Sequence, residues 1–262
     1  MPPPLHAVRV PPKSLHSDTP RIEYRGAPAQ PVRRYGPRMD TPEPPNSPAG
    51  TVRREAHRAA YDRAAIHQIL DAASLAHMGL IAADGRPVVI PTLFGRDGEQ
   101  LYVHGSVASR LVRTLAGGVD CSVEVTLVDG IVLARSAFLH SMNYRSVVVL
   151  GRARRVVGDE QLHGLRTISE HLMPGRWDES RAPSEVELRQ TAVLAIDMVE
   201  ASAKIRVGGP EEEEADDIAL DIWAGVLPIE TRWGDPIDAE DLPSGVPLSP
   251  AVRALRESGG TV

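Results

Sequence analysis

From Leu101 to Arg110 the chain reads Leu-Tyr-Val-His-Gly-Ser-Val-Ala-Ser-Arg, and Ser106, Ser109 and Arg110 have the types and spacing to grip a phosphate. Tyr102 and Val103 are expected to end a strand, Gly105 frees the backbone, and the two serines stand where a helix should begin. Leu111, Val112 and Leu115 continue that helix to Gly117-Gly118. Unpaired helix N–H groups and the positive dipole end would face the anion. The hydroxyls would donate to it, and the guanidinium can fork two of its oxygens. The plainer alternative makes Ser106 or Ser109 an N-cap and Arg110 a surface charge, since this is no standard phosphate-loop pattern.

Other reactive residue types are sparse. Cys121 is the single cysteine and lies in an alternating apolar run. It reads as a small buried hydrophobe, excludes a disulfide framework and fits a reducing compartment. His77, His104, His140 and His171 fall on separate expected elements, without the Cys or carboxylate spacing of a metal motif, so no metal site is expected from spacing. No apolar run approaches the roughly 20 residues of a membrane span, and no apolar stretch marks a signal peptide. The expectation is a cytoplasmic protein without a membrane partner.

The 262 residues allow one domain with appendages. Residues 1–60 carry ten Lys and Arg against five acids, while the whole chain is −6, so the remainder is −11. A basic arm can read as a nucleic-acid tail. Its arginines, however, are scattered among prolines with few aromatics, so a solvated leader over residues 1–52 is expected and no nucleic-acid partner. Thirteen of the 23 prolines precede Gly50. Met39 is a second candidate start within that leader.

Order is expected from Tyr61, with Asp62 as N-cap and Ile66, Ile69, Leu70 and Ala73 on one helical face. Strands are expected at 78–83 and 87–94 around the Asp84-Gly85 turn, with Pro91 implying an edge or bulge. Asp97-Gly98 turns into Gln100–His104. A further hairpin is expected at Asp129-Gly130, between strands 121–128 and 131–136. A long strand follows over 145–157, with Gly151 as a candidate bulge. Helices are expected over 159–172 and 185–189, and one last strand from Val193 through Arg206. Some six strands with short turns and inserted helices describe a small closed, mainly β antiparallel barrel with peripheral helices. An acidic connector, 211–217, leads to apolar residues 218–228. The tail, 229–262, holds a helix from Pro250, a good first helical residue after Ser249.

Six segments, taken in order, resemble the flavin-nucleotide-binding proteins related to pyridoxamine 5′-phosphate oxidase. They are Val89-Ile90-Pro91-Thr92, Leu101 to Ser106 with Ser109-Arg110, Ala134-Arg135-Ser136-Ala137-Phe138, Ser141 to Ser146, Pro174-Gly175-Arg176-Trp177 and Ser202 to Arg206. The resemblance runs from about Arg53 to Pro228 and implies a six-stranded FMN-binding split barrel over 53–228. It further implies a homodimer holding FMN in clefts between subunits. Ser106, Ser109 and Arg110 would then hold the FMN phosphate, Pro91 and Thr92 would line the flavin, and Tyr102 to Gly105, with His104, would floor the pocket. Ser141, Asn143 and Arg145 would approach from the same or the partner subunit, and Trp177, Lys204 and Arg206 would close the site.

The chemistry of these residues suits a flavin. A cation near its N1 stabilises the reduced anion, and Lys204 or Arg206 can supply one. Asn143 can read a mixed donor and acceptor edge. Structural roles compete at each place: a surface ion pair for Arg145, a plug in the barrel end for Trp177, a solvated strand face for Lys204 and Arg206. The family's C-terminal substrate motif has no counterpart in the chain, which argues against vitamin B6 turnover. The expected function is a flavin-dependent oxidoreductase acting on a small planar substrate. The alternatives are a flavin carrier or sensor without turnover, or a haem-binding split barrel with His104 or His140 as axial ligand.

Overall fold

Gly79, Ser122 and Leu150 stand side by side across three antiparallel strands, and that row shows how the chain is built. The computed structural model describes residues 47–211 and 215–257, without the side chains of Arg110 and Leu111. All of this lies in one compact unit, residues 40–262. The leader before Ser47, including Met39, and residues 212–214 of the acidic connector lie outside the described residues.

In chain order the elements are β1 (Ala59–Ala60), α1 (Arg63–Ala72), β2 (Ala76–Ile81), β3 (Pro87–Thr92), β4 (Phe94–Asp97), β5 (Gln100–Ser106), α2 (Arg110–Leu115), β6 (Asp120–Leu133) and β7 (Ser141–Val156). They continue with α3 (Asp159–Leu172), α4 (Glu185–Gln190), β8 (Thr191–Asp197), β9 (Glu200–Arg206), α5 (Ala215–Ile218), β10 (Gly225–Pro228) and α6 (Pro250–Glu257). Every strand pairing is antiparallel. The main path runs β3-β2-β6-β7-β8-β5-β4, while β9 joins β7 to β1 and β10 adds to β6.

The mainly β, antiparallel class with peripheral helices is therefore as expected. Among the described residues the strand count is ten rather than six, and the sheet is open, with β3 and β4 at the ends of its path. Pro91 sits on β3, where a missing N–H costs no ladder bond. No described helix is long and apolar enough to cross a membrane.

The frame is the ribbon of β6 and β7. Cys121, Val123 and Val125 on β6 face Val147 and Val149 on β7 in a dry interior. Ser122, Glu124 and Thr126 alternate to the outside. Ile66, Ile69 and Leu70 of α1 cover one end, held in register because Asp62 accepts a hydrogen bond from the Ala65 N–H at 2.8 Å. Burying one such side chain contributes about 1.5–3 kcal/mol.

On its other edge β7 first pairs β9, from Tyr144 to Leu150, and then β8, from Ala153 to Val156. The sheet forks at Gly151. A Cβ there would overlap the Asp197 carbonyl oxygen and lie 2.9 Å from Ile196 Cγ2. Gly151 is thus the fork itself, where a simple bulge was expected. Helix α3 uses the same device on a second strand layer: a Cβ on Gly164 would come within 2.7 Å of both Tyr102 and Val193.

Two expected elements differ. Asp129-Gly130 does not turn, because β6 runs through it as one 14-residue strand with a register shift between Val128 and Gly130. Strand β10 lies so close that a Cβ on Gly130 would meet Leu227 O at 3.0 Å, and the Asp129 carbonyl accepts from the Ile229 N–H at 3.1 Å. Edge pairing by a distant segment overrides the local turn preference. The expected strand from Val193 to Arg206 is likewise two, β8 and β9. The chain must leave one arm of the fork for the other, so it breaks at Met198-Val199, where the Met198 N–H donates to Glu99 O.

Gly151→Ala should lower stability by about 1–3 kcal/mol, the usual cost of overpacking, without altering β content. A chemical-denaturation midpoint equal to wild type would show that the fork does not need a bare Cα.

Candidate functional site

The β5–α2 junction positions the first candidates. Strand β5 ends at Ser106, and Ser109 is the N-cap of α2, its Oγ accepting from the Val112 N–H at 3.1 Å. Ser106 Oγ accepts from the Ala108 N–H at 3.2 Å. With both oxygens acting as acceptors, both hydroxyl protons are free to turn outward and donate to an anion. The N-cap role and the phosphate role are therefore compatible. Arg110 opens α2, and its side chain lies outside the described residues.

The floor expected from Tyr102 to Gly105 divides by strand alternation. Tyr102 is core: its ring meets His163 edge-on at 5.6 Å between centroids, beneath α3, and its hydroxyl donates to Gln100 at 2.5 Å. His104 is half-buried, and burial lowers its pKa below the ordinary histidine value, so the ring is neutral at pH 7. Its Nδ1 is buried with no hydrogen-bond partner among the described residues. On β3, Pro91 is exposed opposite His77, and Thr92 donates to the Leu93 carbonyl at 3.0 Å.

The remaining candidates gather at the far ends of β7 and β9, apart from Trp177. Arg206, only 3% exposed, donates to Asn143 Oδ1 at 2.5 Å and to the carbonyls of Gly208 and Gly209 at 3.3 and 3.0 Å. Asn143 Nδ2 also donates to Gly208 O, at 3.1 Å. Together they clamp the turn leaving β9, so Arg206 is not on a solvated face. Arg145 forks Asp129, with contacts of 2.7 and 3.0 Å, beside a cavity of about 350 Å³ roofed by Ile229 and Thr231. Lys204 Nζ donates to Arg54 O at 3.0 Å. Ser141 opens β7, half-buried opposite Val132. Trp177 lies half-buried in the turn after α3, its N–H held by Glu170 at 3.0 Å. The fold thus brings Ser106 and Ser109 together, and separately Asn143 with Arg206.

Two cavities were not foreseen from sequence. A polar cleft of about 470 Å³ between α1, β4 and α3 holds Arg96 paired to Asp71 and His163 paired to Asp97. Its charges largely satisfy one another. A larger and mainly apolar cavity, about 690 Å³, lies on the outer face of β3, β2, β6 and β7. Gly79 leaves its floor bare, since a Cβ there would lie 2.6 Å from Ser122 Oγ. Ile81 and Val89 wall it while themselves 58% and 67% exposed. The sequence signal for it was available: apolar residues alternate on both edges of the Asp84-Gly85 hairpin, an open pattern unless something covers one face.

Cys121 borders that cavity from beneath, and burial pushes its thiol up to about 11. The thiolate is therefore absent at neutral pH. A thiol reagent at pH 8 should leave the native protein unlabelled and label it at once after unfolding. Stoichiometric labelling of the folded chain would contradict this.

The chain matches known proteins over most of this fold. A family model described as pyridoxamine 5′-phosphate oxidase matches residues 62–205. Among solved structures, the FAD and heme binding protein from Mycobacterium smegmatis is 37% identical, with a TM-score of 0.72 over 76% of this chain and 97% of that one. The flavocytochrome Anf3 from Azotobacter vinelandii is 38% identical, with a TM-score of 0.76 over 82% of this chain and 99% of that one. No curated protein sequence matches the chain.

Proposed function

The chain belongs to the pyridoxamine 5′-phosphate oxidase family, and from that membership we propose that it binds a flavin nucleotide together with haem and passes electrons between them and a small substrate. The observation that carries this reading is the 37–38% identity over nearly the whole length of two relatives, one named for FAD and haem and the other as a flavocytochrome. A likeness of that extent supports reading a flavin site on this frame. It also brings the haem alternative alongside the flavin reading in place of opposing it.

The flavin phosphate sits at the β5–α2 junction in this reading, met by the outward hydroxyl protons of Ser106 and Ser109 and by Arg110. Pro91 and Thr92 on β3 border the ring system. The motifs alone imply FMN; the Mycobacterium smegmatis relative favours the longer FAD. Asn143 and Arg206 act by fixing the end of β9, since the Asn143 amide and the two terminal guanidinium nitrogens of Arg206 bond to the chain itself. The protein works as a homodimer, as the family resemblance implies, which lets a second copy complete a site whose candidates one chain leaves apart. The proposed location is the cytoplasm.

Purified protein should show a flavin band and a Soret band, and heat release followed by chromatography identifies the nucleotide. Anaerobic addition of NADH, NADPH or a reduced one-electron carrier should bleach the flavin if it turns over. Arg110→Ala should weaken flavin retention by about 2–3 kcal/mol, the value of a charge-assisted contact, with the fold intact. Equal flavin occupancy in mutant and wild type would remove Arg110 from the site.

A further inference from the structure

The described chain enters the fold at the rim of the apolar cavity on the outer sheet face. Ser47 lines that cavity, and its hydroxyl donates to the Glu200 carboxylate at the start of β9. The same oxygen accepts from the Gly50 N–H at 3.0 Å, and the Ser47 carbonyl accepts from the Thr51 hydroxyl at 3.0 Å. Farther on, the Val52 N–H donates to the Tyr61 hydroxyl at 2.9 Å, and Lys204 holds the Arg54 carbonyl. Residues 47–54 are therefore fastened to the frame, and the chain before Ser47 departs from a fixed point beside the cavity.

From that point the cavity follows one row across the sheet. Strand register sets Glu200 beside Leu150, Leu150 beside Ser122, Ser122 beside Gly79 and Gly79 beside Val89. All five line the cavity. Four inter-strand steps make the row about 19 Å long. Its floor is bare at Gly79, and Ile81, Val89 and Val199 stand around it, each more than half exposed. A contiguous apolar surface of this kind marks a contact. The charges that line it have neighbours of their own: Glu200 takes the Ser47 hydroxyl, and Asp120 stands opposite Arg152 in the β6–β7 register. An occupant can thus be uncharged where it faces the sheet.

The residues just before Ser47 suit such a row. They read Thr41-Pro42-Glu43-Pro44-Pro45-Asn46. Three prolines in six residues favour polyproline II, a helix of three residues per turn. At its rise per residue, six residues span about 19 Å, the length of the row. The three-residue turn puts Pro42 with Pro45 on one edge, Thr41 with Pro44 on the second, and Glu43 with Asn46 on the third. Such a rod can lay its proline rings on the sheet and keep Glu43 and Asn46 in water. Proline carries no N–H, so covering these residues strands few backbone donors over an apolar floor. The rod is preformed and loses little entropy on docking, and its tether at Ser47 makes the contact intramolecular.

We propose that Thr41 to Asn46 lie along the row from Glu200 to Val89 as a proline strap that covers the apolar outer face of their own chain. The proposal goes beyond the flavin reading and does not depend on it.

Full-length protein tests it in two ways. In a Cys121→Ala background, Thr41→Cys with Val89→Cys pairs the far end of the strap with the far end of the row. Mild oxidation should close that pair within one chain, read as loss of free thiols with monomer mobility on a non-reducing gel. Thr41→Cys with Val186→Cys, on α4, should close at least tenfold more slowly. Separately, Pro42→Ser, Pro44→Ser and Pro45→Ser together should raise the fluorescence of a bound hydrophobic dye at least threefold, with the circular dichroism of the wild type. Pro11→Ser with Pro12→Ser should leave it unchanged. Closure between chains would show that a second copy covers the face and would overturn the proposal. Equal closure rates at Val89 and Val186, or wild-type dye binding in the triple variant, would overturn it as well.

Discussion

The fork in β7 at Gly151 is the constraint on which the rest of the molecule depends. A single long strand serves β9 along one half of its edge and β8 along the other, and two strand layers diverge where the carbonyl of Asp197 presses on a bare Cα. Close packing leaves no room for even a methyl group at that point. Because the layers split there, β5 and the α2 turn belong to one arm. The outer face of β2, β3 and β6, with its apolar cavity, belongs to the other.

Polar groups follow the same division. At the open end of the ribbon, Arg206 and Asn143 are consumed in holding the turn after β9, and Arg145 in holding Asp129. The terminal guanidinium nitrogens of Arg206 are met by Asn143 and two backbone carbonyls, while its Nε is buried without a partner among the described residues, and these side chains maintain the backbone that leads toward β10. At the β5–α2 junction the opposite holds: the serine oxygens take backbone protons and leave their own to spare. The chain thus separates residues that keep the frame from residues that can meet a ligand.

Much of this was legible in the letters. The helix behind Asp62, the Asp84-Gly85 and Asp97-Gly98 turns, the α2 helix beginning at Ser109, and the helix over 159–172 all follow from caps, glycines and apolar spacing within a few residues of each other. The outcome differs where a distant segment intervenes. Asp129-Gly130 reads as a hairpin until β10 pairs alongside it. Val193 to Arg206 reads as one strand until the two arms of the fork claim separate halves. Among the candidate site residues, the Ser106 and Ser109 pairing was legible because it is local. The burial of Arg206 was not, since the turn that covers it comes from beyond its own strand.

By itself the sequence determined the antiparallel class, the strand-to-helix junction capped by Ser109 and the family motifs, because each is written in contacts between near neighbours. Tertiary structure alone decided that the sheet forks and stays open and that Gly79 floors a cavity. Those outcomes depend on cross-strand register, in which a shift of one residue sends every side chain to the opposite face. Register is fixed by the whole packed sheet and by no single stretch of it.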